Sequence, residues 1–166
     1  MLFPTKLVTS HYQIIMTEYM LKGILAISGQ PGLYKVLTEG KNNVIVESLL
    51  TGKRSTVYTD AKMSALEDIA IYTTQEDVPL RKVLKKIADK ENGGPAIDVK
   101  NSPEELKKYF SDVLPEYDKE RVYFSDVKKV ISWYNLLQEK GMLDLVEEEK
   151  IETEGKEDES APEVEN

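Results

Sequence analysis

Residues 20–73 limit what this chain can fold into more than any other stretch. They fall into four or five short apolar and β-branched runs, at 23–28, 33–38, 43–50, 55–59 and 69–72, each ended by Gly, Pro, Asn or Asp. Short runs with that punctuation are the pattern of a compact antiparallel sheet. Gln30-Pro31-Gly32-Leu33 places Pro where a type II turn wants φ fixed and negative, and Gly where φ must be positive. The sequences around Gly40 and Gly52 supply the next two turns. Within 43–50, Val44, Val46 and Ser48 point one way and Ile45, Glu47 and Leu49 the other, so both faces are partly apolar, as in a strand with neighbours on both sides. Residues 64–68 are too short for an α-helix and lead directly into Ile69. A short helical turn just before a last strand is how SH3-like barrels end. The expected fold is therefore α+β, beginning with a small antiparallel SH3-like β-barrel, closed or half-closed, over residues 20–74.

The remainder reads as helices. Gln75, Glu76 and Asp77 precede Val78-Pro79, and Gly93-Gly94 follow, bracketing an amphipathic linking helix within residues 75–94. Leu80, Val83, Leu84 and Ile87 share one side of it, while Arg81, Lys82, Lys85 and Lys86 surround the other and form the strongest basic patch of the chain. That patch is first a solvated face whose apolar side covers the open end of the barrel, and second a candidate surface for an anionic ligand. Residues 92–101 (NGGPAIDVKN) form a turn-rich connection and the best candidate domain boundary, with a small helical domain over 95–144. Ser102-Pro103-Glu104-Glu105 predicts a helix start with a capping box, and the apolar face is Leu106, Tyr109, Phe110, Val113 and Leu114, ended by Pro115. The longest helix is expected over 127–140, stopped by Gly141. Val127, Val130, Ile131, Tyr134 and Leu137 form its main stripe, which Trp133 and Leu136 widen. Trp133 and Tyr134 are candidate partner anchors, because such residues are frequent interface hot spots, although core packing explains them as well. Each half has only about 50 residues, a size at which burial is marginal, so the two are expected to pack together.

Charge is unevenly distributed. Of the formal −8, residues 144–166 carry eleven acidic side chains against two lysines, and the rest of the chain nets +1. Residues 145–166 are Glu-rich with almost no apolar residues and cannot repay the entropy of ordering, so they are expected to be disordered. Two roles stay open for them: a solubilising tail, or one that competes with an anionic ligand for the basic helix. Residues 1–19 have no clear period, and they lack the basic start and apolar centre of a signal peptide. Either they join the fold or they reflect an upstream translation start, with Met16 and Met20 just before the first strand. His11, the single histidine, lies there without a second histidine or any cysteine to share a metal or proton-transfer role.

LKGILAISGQPGLYK, VIVESL, DIAIYT, VPLRKVL, SPEELKKYF, VLPEYDKERVY and SDVKKVISWYN, in that order, resemble a family of small bacterial proteins found mainly in Bacteroidetes and known as a domain of unknown function. The resemblance covers residues 20–144. It implies an SH3-type barrel followed by a small helical domain, and it assigns no activity to any residue. Residues 1–19 depart from the family pattern, which begins near Met20.

Chemistry-bearing motifs are missing. There is no phosphate-binding G-x-x-x-x-G-K-[ST], no G-x-G-x-x-G after a strand, no H-E-x-x-H, no EF-hand loop and no G-x-S-x-G. Gly29-Gln30-Pro31-Gly32 has the letters of an RNA-clamping GXXG loop but sits between strands, so it reads as a turn. Glu67-Asp68 and Glu104-Glu105 are explained by a turn and a helix N-terminus rather than as acid–base pairs. The absence of Cys excludes disulfides and thiolate zinc sites and fits a reducing cytoplasm. No apolar run approaches the roughly 18 residues of a membrane span. The expectation is a cytoplasmic, non-catalytic module that binds an unknown protein partner or self-associates, with no cofactor, metal or membrane. The first alternative is a nucleic-acid-associated protein that uses the basic helix, against which a neutral body and acidic tail weigh. The second is an enzyme of unknown class.

Overall fold

The computed structural model describes residues 23–146, so the expectations for residues 1–19, for His11 and for the acidic segment from Glu147 on lie outside the described residues. Leu145 and Val146, expected to begin the disordered segment, are instead buried in the large core by a 3₁₀ turn over Leu143–Val146, because their apolar side chains have a hydrophobic surface to cover. Five strands form one antiparallel sheet: β1 (Ile24–Ile27), β2 (Tyr34–Glu39), β3 (Asn43–Ser48), β4 (Arg54–Tyr58) and β5 (Met63–Ala65), in the order β4-β3-β2-β1-β5. The first three connections are short, spanning residues 28–33, 40–42 and 49–53; in the first, the Gln30 N–H donates to the Ile27 carbonyl (3.1 Å) ahead of Pro31-Gly32. Gly32 has φ +77°, the conformation that the preceding Pro31 sets up and that a side chain would resist. Leu37 is the extra residue of a bulge where the β2–β3 register slips between Val36 and Thr38.

A closed barrel does not form. Among the described residues β4 and β5 are the two edges of the sheet, and β5 pairs with β1 alone. The expected last strand at 69–72 supplies only β6 (Ala70–Ile71), which turns away to pair with β7 (Val78–Pro79) in a separate two-stranded sheet. The physical cause is the intervening turn. Leu66–Asp68 form a 3₁₀ turn that buries Leu66, and the chain beyond it follows the helical layer instead of the sheet edge. Met63–Ala65 take the place beside β1 that the later run was expected to hold.

Three helices follow: α1 (Leu80–Lys90), α2 (Pro103–Val113) and α3 (Phe124–Glu139). The first has the expected apolar side, and Leu80, Val83, Leu84 and Ile87 are fully buried. The capping box of α2 is present: Ser102 Oγ accepts from the Glu105 N–H (3.4 Å) and the Glu105 carboxylate accepts from the Ser102 N–H (3.1 Å). The third helix begins three residues before the expected Val127, because the Asp126 carboxylate accepts the Tyr123 N–H (3.1 Å) and satisfies an otherwise unpaired first-turn donor. It ends at Gly141, φ +66°, where the Met142 N–H returns to the Leu137 carbonyl (2.9 Å).

One large core joins both halves of the chain. Ile24, Leu33 and Leu66 from the sheet region pack in the same cluster as the buried faces of the three helices, and Phe110 meets Tyr117 edge-to-face at 5.0 Å. Leu25, Ile27, Tyr34, Val46 and Val57 form a second, smaller cluster on the sheet. Alternation in the strands separates the two: Ile24 and Ala26 belong to the first, Leu25 and Ile27 to the second. The 91–101 connection is held to α3 rather than hanging loose. Asn135 accepts from the Ala96 N–H (2.8 Å) and donates to the Ile97 carbonyl (3.3 Å), and the Tyr134 hydroxyl donates to the Gly94 carbonyl (2.8 Å).

Candidate functional site

Sheet and α3 diverge on one side of the molecule and leave a cleft of about 730 Å³. One wall is the β1 end and the β1–β2 turn, from Ala26 to Gly32, with Lys62 and Ser64 of the β5 segment. The other is the outer face of α3, where Ser125, Lys128, Lys129, Ser132 and Trp133 recur at intervals of three and four and therefore share one side of the helix. Ile69 and Val99 line the cleft between them. Among the described residues every charged side chain lining this cleft is a lysine. Among the described residues no ion pair reaches Lys62, Lys128 or Lys129.

Trp133 divides this cleft from a second depression of about 260 Å³, bordered by Ile71, Tyr72, Arg121 and Asp126. Ile69, Lys129 and Trp133 line both. The Arg121 guanidinium lies 4.5 Å over the Tyr72 ring, donates to the Asp118 carboxylate (2.7 Å) and to the Thr73 carbonyl (2.9 Å), and is thereby fixed. That hydrogen bond is the main cause holding the Asp118 carboxyl below its usual value, with the Glu120 N–H adding to it. Thr73 is itself buried, donating to the Glu76 carbonyl at 2.7 Å.

The residues singled out from sequence are distributed differently. Arg81 is half-buried. Lys85 pairs with Asp89 at 3.0 Å and Lys86 with Glu116 at 3.5 Å, while Lys82 is exposed. The basic face of α1 thus carries its own carboxylates. Of the two candidate anchors, Tyr134 is fully buried in the large core and offers no surface to a partner. The adjacent Trp133, about 100° further back around the helix, is half-buried and lines both depressions. Trp133 was expected either to widen the apolar stripe or to anchor a partner, and Ser125, Lys128, Lys129 and Ser132 were not among the expected site residues. The signal for them is the S-x-x-K-K-x-x-S-W spacing, a largely polar stripe on the side of α3 opposite most of its buried residues, with Leu136 the buried residue that falls within it.

Two further groups are displaced in their titration, and both belong to the core. Burial first, and then the hydrogen bond to Glu91 (2.7 Å), push the Tyr109 phenol well above its ordinary value. Burial, with the Glu91 charge, also raises Tyr134. Among the described residues no group of three or more His, Cys, Asp or Glu side chains could hold a metal ion, and no helix is long and apolar enough to cross a membrane.

Residues 21–66 match the model of a family described as Domain of unknown function (DUF5606), and residues 69–137 that of Domain of unknown function (DUF6852). The two matches meet at the 3₁₀ turn where the sheet ends. The chain is similar to a Bacteroides vulgatus protein whose solution NMR structure was a structural-genomics target: 50% identity over 74% of this chain and 89% of that one, with a TM-score of 0.62. None of the curated proteins matches. With half of the aligned residues identical to a relative that it covers almost end to end, the chain belongs to the same family of unknown function as that Bacteroides protein.

Proposed function

We propose that the protein is a non-catalytic interaction module that docks a protein partner in the cleft between the sheet and α3. The observation that carries this reading is the make-up of the cleft: an apolar lining with Trp133 at its divide and, among the described residues, lysines as its only charged groups. A half-buried tryptophan shared by two adjoining depressions, with charged side chains beside it, suits an interface anchor and its polar surround. The titratable groups that converge there are all of one kind, and an acid–base pair needs two. Strand order supports counting the sheet as an opened form of the SH3-like module, since β5 returns to β1 after a meander of four strands. A chain without cysteine suits the reducing cytoplasm.

The test is retention of partners by the full chain immobilised from the native source, with Trp133→Ala and Tyr134→Phe as paired variants. A partner kept by the wild type and by Tyr134→Phe, and lost by Trp133→Ala, is the expected result. A chain that stays monomeric in light scattering and retains nothing, or one whose partners ignore Trp133, sinks the proposal.

A further inference from the structure

We propose that the occupant of the cleft is an extended segment of a separate protein with alternating acidic and apolar residues, which adds as a sixth strand to the free edge of β5. This rests on the interaction-module reading and names the chemistry of the partner.

The edge comes first. In an antiparallel pair the backbone groups of alternate residues face the same neighbour. The Ser28 N–H donates to the Lys62 carbonyl (2.9 Å), and Ala26 stands opposite Ser64, so Lys62 and Ser64 present their backbone groups to β1. On the other side of β1, the Val36 N–H donates to the Gly23 carbonyl (2.7 Å), which agrees with that alternation. Met63 and Ala65 therefore turn their N–H and C=O groups outward. Among the described residues β5 pairs on one side only, and an edge of this kind is a template for another strand.

Side-chain chemistry then selects the sequence of the added strand. A strand beside β5 sends alternate side chains to the two faces of the sheet. One set lies beside Lys62 and Ser64 and faces Lys128 and Lys129 across the cleft; among the described residues no carboxylate lines that space, so carboxylates fit it. The other set lies beside Met63 and Ala65, half-buried residues packed on the smaller core, so apolar residues extend that cluster. Backbone pairing supplies affinity and the alternation supplies selectivity.

The probe is a capped, fluorescently labelled seven-residue peptide alternating Glu and Val, titrated into the full chain by anisotropy at two salt concentrations. Binding that weakens with salt is expected, with about a tenfold loss in the Lys128→Glu, Lys129→Glu double variant, whose sites are exposed and charge-only. Amide exchange should slow at Met63 and Ala65 on binding. A peptide N-methylated on alternate backbone nitrogens should not bind, since it leaves the protein intact and removes only the ladder donors. Failure of the parent peptide, equal binding of its Lys/Val counterpart, or undiminished binding of the N-methylated form overturns the proposal. So does tighter binding of a peptide of residues 147–166, which assigns the cleft to the chain's own acidic segment, or a dimer abolished by the double variant, which assigns it to a second copy. Displacement of the peptide by a single-stranded oligonucleotide at lower concentration than by unlabelled peptide overturns it in favour of nucleic acid. Loss of this proposal together with Trp133-dependent partner retention leaves the interaction-module reading standing.

Discussion

Replacing Tyr134 with Phe separates a core role from a surface role at the position where sequence allowed both. The ring is fully buried, and its hydroxyl donates to the Gly94 carbonyl at 2.8 Å, tying α3 to the 91–101 connection. Phe keeps the ring and its packing, so only the hydrogen bond is lost. A neutral bond of this kind contributes about 1 kcal/mol net, and leaving its partner buried and unsatisfied raises the cost toward about 3 kcal/mol. Gly94 is only half-buried, so water can reach its carbonyl and the lower figure wins. The expected loss is about 1 kcal/mol, read as a lower urea midpoint at unchanged m, or a fall of roughly 3–5 °C in Tm for a domain of this size. Tyr134→Ala removes the ring as well and should cost about 3–5 kcal/mol. A Tyr134→Phe loss below about 0.3 or above about 3 kcal/mol would refute the assignment of one solvent-reachable hydrogen bond to this hydroxyl. Loss of a retained partner in Tyr134→Phe at intact fold would refute the burial argument itself.

Two other perturbations test local physics. Ser102→Ala removes the reciprocal cap of α2 and should cost about 1 kcal/mol, visible as earlier urea unfolding, with Ser102→Asp close to wild type. Tyr109 and Tyr134 hold their phenolic protons in the folded state, while the unfolded chain releases them near the ordinary value of 10.0. Their contribution is therefore complete below that pH and is lost as pH rises above it, because the unfolded state then binds fewer protons than the folded one. Urea midpoints should fall on the alkaline side of 10.0, and Tyr109→Phe should flatten that limb; an unchanged limb would show that burial beside Glu91 does not govern the titration.

What sequence revealed of the fold were features that neighbouring residues decide among themselves. Pro31-Gly32 sets its turn through two φ angles, Ser102 and Glu105 satisfy each other's N–H groups, and the buried faces of α1 and α2 follow from helical spacing. Pairing between distant strands is a different kind of question. Residues 69–72 have the composition of a closing strand, and their alternation suits a sheet edge as well as it suits the short β6. Burial of Leu66 in the large core decided between them: once the 3₁₀ turn delivers that side chain to the helices, the chain lies on the helical layer, and the edge beside β1 goes to Met63–Ala65. Propensity contained no term for that competition.

The cleft was less legible for the same reason, carried one level further. Its lysines come from β5 and from α3, some 65 residues apart in sequence, and neither group is dense enough to read as a patch on its own. The cluster on α1 is denser along the chain, yet it meets counter-charges, Asp89 four residues on from Lys85 and Glu116 from the segment after α2 beside Lys86. Charge density along a chain overstates a surface whenever neutralising groups arrive through tertiary contact, and understates one whenever like charges do. A chain whose described part is nearly neutral can therefore still concentrate positive potential in one concavity, because the two halves meet with their lysines facing and their carboxylates elsewhere. The comparison that isolates this effect is Lys85→Glu, Lys86→Glu against Lys128→Glu, Lys129→Glu: both change net charge equally, and only the second pair should alter binding of an acidic peptide.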